Sequence, residues 1–112
     1  GDAGAIAIAH AVGGNLTELD LSGNCISNAG AVVLAEYLQK CRAYVINLDH
    51  NEIEDDGARA LAIFVEAKTG LGELGLRENP IRASAAKKLK QAAWNNVSLP
   101  KIRLGSDEID IE

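Results

Sequence analysis

Aromatic side chains are scarce in this chain of 112 residues, at 4%, and Ala, Leu and Ile supply most of the apolar set instead. Small apolar groups suit helices and strands that stack closely in register. Cysteine is nearly absent: Cys25 and Cys41 are too few for the disulfide framework of a small secreted domain. No apolar run approaches the ~18 residues of a spanning helix, and no basic-then-apolar leader with a cleavage site opens the chain. Its start, Gly1-Asp2-Ala3-Gly4, lacks a methionine, which fits a piece excised from something longer. Basic residues are outnumbered, 11 Lys+Arg against 16 Asp+Glu, and the net charge of −5 argues against a nucleic-acid footprint. The rest is ordinary, with 47% hydrophobic and 24% charged residues, as in a globular domain rather than a disordered segment. The length fits one domain that buries about 65% of its extended-chain surface.

The chain repeats itself. Leu16-x-x-Leu19-x-Leu21-x-x-Asn24-x-Ile26 returns as Ala43-x-x-Ile46-x-Leu48-x-x-Asn51-x-Ile53 and as Leu71-x-x-Leu74-x-Leu76-x-x-Asn79-x-Ile81. A weaker copy reads Leu99-x-x-Ile102-x-Leu104-x-x-Asp107-x-Ile109, so the Asn-type position steps by 27, 28 and 28 residues. A second column with the same period runs through Gly4, Gly30, Gly57 and Ala85, followed four residues on by Ile8, Leu34, Leu61 and Leu89. Within a copy, Leu19-x-Leu21 alternates as a strand does, whereas Gly30-x-x-x-Leu34-x-x-x-Leu38 steps by four as a helix face does. Each copy is therefore a strand, a turn and a helix that returns the chain to the next strand. Parallel strands joined by helical crossovers leave a sheet on one side and helices on the other, and stacked copies share a core.

These residues resemble the leucine-rich repeats of the ribonuclease-inhibitor-like subfamily. The resemblance implies an α/β fold, a curved right-handed solenoid with a parallel sheet on the concave face and helices on the convex face. It divides residues 1–112 into a partial unit 1–15, repeats 16–42, 43–70 and 71–98, and a terminal partial unit 99–112. Such proteins share a scaffold and differ in partner, so the fold alone does not give the function.

Asn24, Asn51 and Asn79 follow their strands at a turn, where stacked amides serve buried backbone groups as a structural ladder. Asp107 breaks the column and marks a worn terminal unit near solvent. Cys25 and Cys41 flank one helix of about 10–12 residues, which holds them some 15–18 Å apart against the ~7 Å limit of a disulfide, so both are expected as free thiols, Cys41 buried and Cys25 more exposed. No zinc spacing is present. His10 falls in the column of Glu36, on the outer helix face. Ser22, Asp49 and His50 hold the residue types of a hydrolase triad, but on an open sheet with no oxyanion donor or water-excluding pocket; no catalytic residue, metal or cofactor is expected. Gly13-Gly14 and Gly70-x-Gly72 read as turn glycines rather than phosphate loops. Asn15-Leu-Thr17 and Asn96-Val-Ser98 match glycosylation sequons that a cytoplasmic protein leaves unused.

Strand alternation supplies the candidate partner surface. With Leu19, Leu21 and their equivalents inward, the outward columns are Glu18, Val45, Glu73, Lys101; then Asp20, Asn47, Gly75, Arg103; then Ser22, Asp49, Arg77, Gly105. Thr17 and Tyr44 flank them on one side, His50 and Glu78 on the other. Acidic groups gather on the first copies and Arg77, Lys101 and Arg103 on the last, a polarity that orients an incoming partner. Tyr44 is the expected aromatic anchor, with Asp49 and Arg77 as polar contacts. The basic run Arg82, Lys87, Lys88, Lys90 reads as a solvated outer face that balances the acidic tail Asp107, Glu108, Asp110 and Glu112, with a site for a phosphate or an acidic partner as the alternative. Trp94, in an outward column, is either a binding anchor or a lid on the last helix, and the open end of a terminal repeat favours the lid.

The expectation is a non-catalytic, cytoplasmic module that binds a partner protein on the concave face, with neither nucleic acid nor membrane as partner. Regulation of a small GTPase, as in the similar repeat proteins that stimulate Ran, is one alternative, and actin capping of the tropomodulin type another. Weak self-association through the N-terminal helix, around Ile6, Ile8 and Val12, is also expected.

Overall fold

The structure is a computed structural model that describes residues 1–12, 17–40 and 42–104; within it the side chains of residues 8–12 are left undescribed. Four helices alternate with four short strands: α1 (Asp2–Val12), β1 (Glu18–Asp20), α2 (Asn28–Leu38), β2 (Val45–Asn47), α3 (Asp55–Ala67), β3 (Glu73–Gly75), α4 (Ala83–Trp94) and β4 (Lys101–Arg103). The strands form one parallel sheet in the order β1-β2-β3-β4. Each helix packs on the helix of the next copy, α1 on α2, α2 on α3 and α3 on α4. One layer of helices thus lies behind one sheet, and the crossovers wind the chain into a βα solenoid.

Three residues make each strand because only one side chain per strand must be buried at that point. Leu19, Ile46, Leu74 and Ile102 stand in register, at most 5% exposed, between outward neighbours. Leu21, Leu48 and Leu76 continue the inward face, and their N–H groups donate to Asn47, Gly75 and Arg103 carbonyls at 2.8 Å. The helices answer with Ala31, Leu34 and Leu38 on α2, Ala58, Leu61 and Val65 on α3, and Ala85, Leu89 and Ala93 on α4, all buried. Alternating Ala and Leu keeps the helix-to-sheet distance short, and the single Phe, Phe64, is 1% exposed in the middle of the stack.

Side chains tie the ends of the helices across copies. Helices α2, α3 and α4 start after Ser27, Glu54 and Arg82, none of which caps its own helix through a side chain. The first residue of the preceding helix does so instead. Asp2 accepts from the Ser27 N–H at 2.8 Å and the Ser27 hydroxyl at 2.5 Å, and also from the Gly30 N–H. Asn28 Oδ1 accepts from the N–H groups of Glu54 at 2.8 Å and Gly57 at 2.9 Å, and Asp55 Oδ1 accepts from the Arg82 N–H at 2.8 Å. Orphan donors at three helix starts are thereby satisfied. The small residue two positions into α2 and α3 has its reason here: a Cβ on Gly30 would collide with the Asp2 carboxylate, and one on Gly57 would lie 2.7 Å from Asn28 Oδ1.

The helix C-termini are tied in the same way. Gln39 Nε2 donates to the Phe64 carbonyl at 3.2 Å, and the Lys68 ammonium donates to the Gln39 carbonyl at 3.1 Å. Asn96 Nδ2 donates to the carbonyls of Val65 at 2.7 Å and Lys68 at 2.8 Å. Lys68 is a buried cation, and the C-terminal end of a helix is where such a charge is favoured.

Candidate functional site

The observed register aligns Glu18, Val45, Glu73 and Lys101 in one row and Asp20, Asn47, Gly75 and Arg103 in the next. Glu18 and Asp20 are exposed, whereas Asn47, Asp49, Glu73, Arg77, Lys101 and Arg103 are half-buried. The turn side of the face carries Ser22, half-buried, with His50 and Glu78, both exposed. These residues lie on one continuous sheet face and its rim, so the structure brings the described members of the candidate set together. The expected Gly105 and the acidic tail residues Asp107, Glu108, Asp110 and Glu112 lie outside the described residues, as do Cys41, Gly13-Gly14, Asn15 and the side chains of Ile8, His10 and Val12.

Tyr44 is 58% exposed, and its ring fills the space where a side chain on Gly72 would stand. Gly72 is thus bare for the sake of its neighbour, which corrects its reading as a turn glycine; Gly70, at φ 89°, is the turn residue. Held against backbone, the Tyr44 ring offers a rigid aromatic surface at low entropic cost.

Several polar groups on this face are already engaged. Asp20 Oδ1 accepts from the Ser22 N–H at 3.0 Å and the Ser22 hydroxyl at 2.7 Å, and Asn47 Oδ1 accepts from the Asp49 N–H at 2.8 Å. In the third copy Gly75 has no side chain for this role. Asp49 Oδ1 reaches over from the neighbouring strand and accepts from the Arg77 N–H at 2.8 Å. Arg103 Nε donates to Glu73 Oε2 at 2.8 Å, a half-buried ion pair between β3 and β4. The Ser22 hydroxyl, followed by its N–H, holds the Asp20 carboxyl below the usual carboxylate range.

Gly23, His50 and Glu78 occupy one column and share a left-handed backbone, at φ 69°, 57° and 58°. Their turn redirects the chain so that the Asn that follows points inward. Asn51 is 6% exposed; its Oδ1 accepts from the N–H groups of Asn24 and Ile26, both at 2.9 Å. Its Nδ2 donates to the carbonyls of Leu21 at 3.1 Å, Leu48 at 3.0 Å and Asp49 at 3.2 Å. Asn79 repeats the pattern toward Leu48, Leu76 and Arg77, and Asn24 donates to Leu21 and Ser22. The amides act on the backbone beneath the candidate surface and make it stiff.

The remaining expectations divide. Ser22 donates its proton to Asp20 rather than to His50, so the triad residue types are not arranged as one. Among the described residues no group of three or more His, Cys, Asp or Glu is gathered to hold a metal ion, and no helix is long and apolar enough to cross a membrane. Cys25 is a free, exposed thiol. Asn96 of the second sequon is 3% exposed with its amide committed to α3. Trp94, read as a lid, is 63% exposed on the outer surface of α4 beside Lys87, Lys90 and Gln91. The capping residues Asp2, Asn28, Asp55, Gln39, Lys68 and Asn96 had escaped the sequence reading. The first three carried a signal, since they recur at steps of 26 and 27 residues, the period of the columns beside them.

The short parallel strands, the inward Asn at each turn and the returning helices define a leucine-rich-repeat solenoid. A leucine-rich-repeat profile matches residues 15–35 and 45–62. The chain is 39% identical over 79 residues to NACHT, LRR and PYD domains-containing protein 12 of Mus musculus, a match that covers 69% of this chain and 8% of that protein. It therefore spans a small part of that relative's length. Among solved structures, Leiomodin-1 Actin-Binding Site 2 superposes with a TM-score of 0.78 at 22% identity, over 91% of this chain and 60% of that one. That likeness is one of fold.

Proposed function

We propose that this solenoid is a non-catalytic module that binds a partner protein on the concave sheet face, with Tyr44 as the central anchor. The carrying observation is the exposed Tyr44 ring seated on the bare backbone of Gly72, on a face where Asp20, Asn47, Asp49 and Glu73 already hold neighbouring groups. An aromatic residue with a fixed backing is the kind of group that dominates interface energetics. Glu18 and Asp20 at one end and Arg77, Lys101 and Arg103 at the other would steer the partner's orientation and its association rate. The strand steps of 27 and 28 residues support repeats 16–42, 43–70 and 71–98 between partial units 1–15 and 99–112, and the helical return within each copy supports the ribonuclease-inhibitor-like subfamily. The free Cys25 thiol and the engaged Asn96 amide favour a cytoplasmic setting. Weak self-association through Ile6, Ile8 and Val12 belongs to the same proposal and predicts a concentration-dependent sedimentation coefficient; a strictly monomeric profile counts against it.

The test is capture of partners from a cell extract by the wild-type chain beside Tyr44→Ala and a Glu18→Lys/Lys101→Glu charge swap. Folding of all three chains is matched by circular dichroism. A partner retained by the wild type and lost by both variants supports the concave face. Equal capture by all three rejects it. Because the structural neighbour is an actin-binding site, purified actin is the first single protein to add, with a Ran-type GTPase as the second.

A further inference from the structure

The helices differ sharply in charge. Helix α3 carries Asp55, Asp56 and Glu66 against Arg59, whereas α4 carries Lys87, Lys88 and Lys90 and no acid, in a protein of net charge −5. Among the described residues none of these three lysines enters an ion pair. Lys88 lines the groove between α3 and α4 together with Glu66. Lys87 and Lys90 instead lie on the other side of α4, three residues apart and on the face that Trp94 continues one turn later. The stripe spans about 10 Å of helix. With Gln91, these three residues form an open patch on the outer surface of α4.

A large aromatic side chain left in solvent beside charged groups is a candidate interaction site. Here Trp94 is 63% exposed, in one patch with Lys87, Lys90 and Gln91. Trp is the residue type most enriched among binding hot spots, and two cations beside it add a preference of sign.

We propose that the Lys87–Lys90–Trp94 stripe of α4 docks an acidic segment of a partner protein that carries a large apolar side chain next to its carboxylates. The apolar group packs on the exposed Trp94 ring, and the carboxylates lie over Lys87 and Lys90. Charge complementarity selects this occupant. A basic segment meets two like charges, and a purely apolar one leaves the ammonium groups without partners. An anionic membrane is the poorer match, since two lysines fall short of the four to eight that such surfaces use, and the net charge of −5 repels the bilayer. This surface lies on the helical layer, away from the concave sheet, and stands whether or not the sheet binds a partner.

The protein reports on this site by itself, because Trp94 is its single tryptophan. The full chain is titrated at low salt with a synthetic 12-residue peptide of glutamate, alanine and two leucines, and Trp94 emission is followed. A matched peptide with lysine for every glutamate and vesicles of one-third phosphatidylserine are the comparison probes. The expected result is a saturable blue shift with the acidic peptide, weakened by salt, and weakened about fivefold by Lys87→Glu/Lys90→Glu. Trp94→Ala, followed by calorimetry, is expected to lose the binding while circular dichroism stays unchanged. An equal shift with the lysine peptide would overturn the proposal in favour of unselective apolar contact. A response to vesicles alone would overturn it in favour of a membrane. No shift with any probe overturns it outright, as does an undiminished shift in the charge-reversed variant.

Discussion

Asn51 carries more of the structure than its size suggests. Its amide accepts from two N–H groups and donates toward three carbonyls from two successive copies, inside a site that is 6% exposed. Truncation to Ala leaves those groups without protein partners, and each unsatisfied buried group costs about 1–3 kcal/mol. Asn51→Ala is therefore expected to lower stability by at least about 3 kcal/mol, measured as the shift of the urea midpoint at constant slope. Asn24→Ala, at a half-buried amide with two donated bonds, should cost about 1 kcal/mol. Equal losses at the two positions would refute the account, since it assigns the difference to burial and to the second copy that Asn51 serves.

At the scale of elements, the helix starts are where sequence rules and tertiary structure disagree. Helix propensity favours Ala over Gly by about 1 kcal/mol in a helix interior. Gly57→Ala would nevertheless set a Cβ 2.7 Å from Asn28 Oδ1 and 2.8 Å from Ile53 Cγ2, and so expel the cap of α3. We expect a net destabilisation of about 1–2 kcal/mol in chemical denaturation; a stabilised variant would mean that the cap contributes nothing. The start of α2 adds a pH dependence. The Ser27 hydroxyl first, then the Ser27 and Gly30 N–H groups, hold the Asp2 carboxyl below its ordinary value. A group depressed in the folded state contributes stability that is complete above its unfolded value and is lost as pH falls through the folded one. The hold of α1 on α2 should therefore be full above about pH 5 and decline below pH 4. Asp2→Asn should flatten that part of the melting-temperature profile between pH 3 and 6, and an unchanged profile would place the acid sensitivity elsewhere. The strands and helices themselves were legible in the sequence, because alternation at Leu19-x-Leu21 and the four-step at Gly30, Leu34 and Leu38 follow from local geometry. The caps were not, because a side chain that serves the next helix leaves no local signature beyond its column.

For the whole molecule, the same distinction separates what the repeats disclosed from what the surface withheld. Strand register and the outward columns follow once one period is known, since each copy repeats the last. The tethering of the face does not, because it depends on exceptions: Asp49 turns to the Arg77 N–H where Gly75 leaves that donor without the Asx side chain used in the earlier copies. Such cross-copy bonds also decide how the solenoid comes apart. A linear stack without them would fray one unit at a time from either end, each unit held only by its neighbour. Here α2 caps α3 through Asn28, α3 caps α4 through Asp55, and Lys68 and Asn96 join the helix ends on the far side. Helix α1 packs on α2 alone among the helices, and among the described residues its one side-chain tie is that of Asp2. Native-state hydrogen exchange should accordingly find α2, α3 and α4 opening together at the global free energy, with α1 opening separately at a lower one. Asn28→Ala should divide the larger unit between α2 and α3. Protection that falls smoothly from α3 to both ends, unaltered by Asn28→Ala, would reduce the caps to local decoration and leave packing alone to hold the stack.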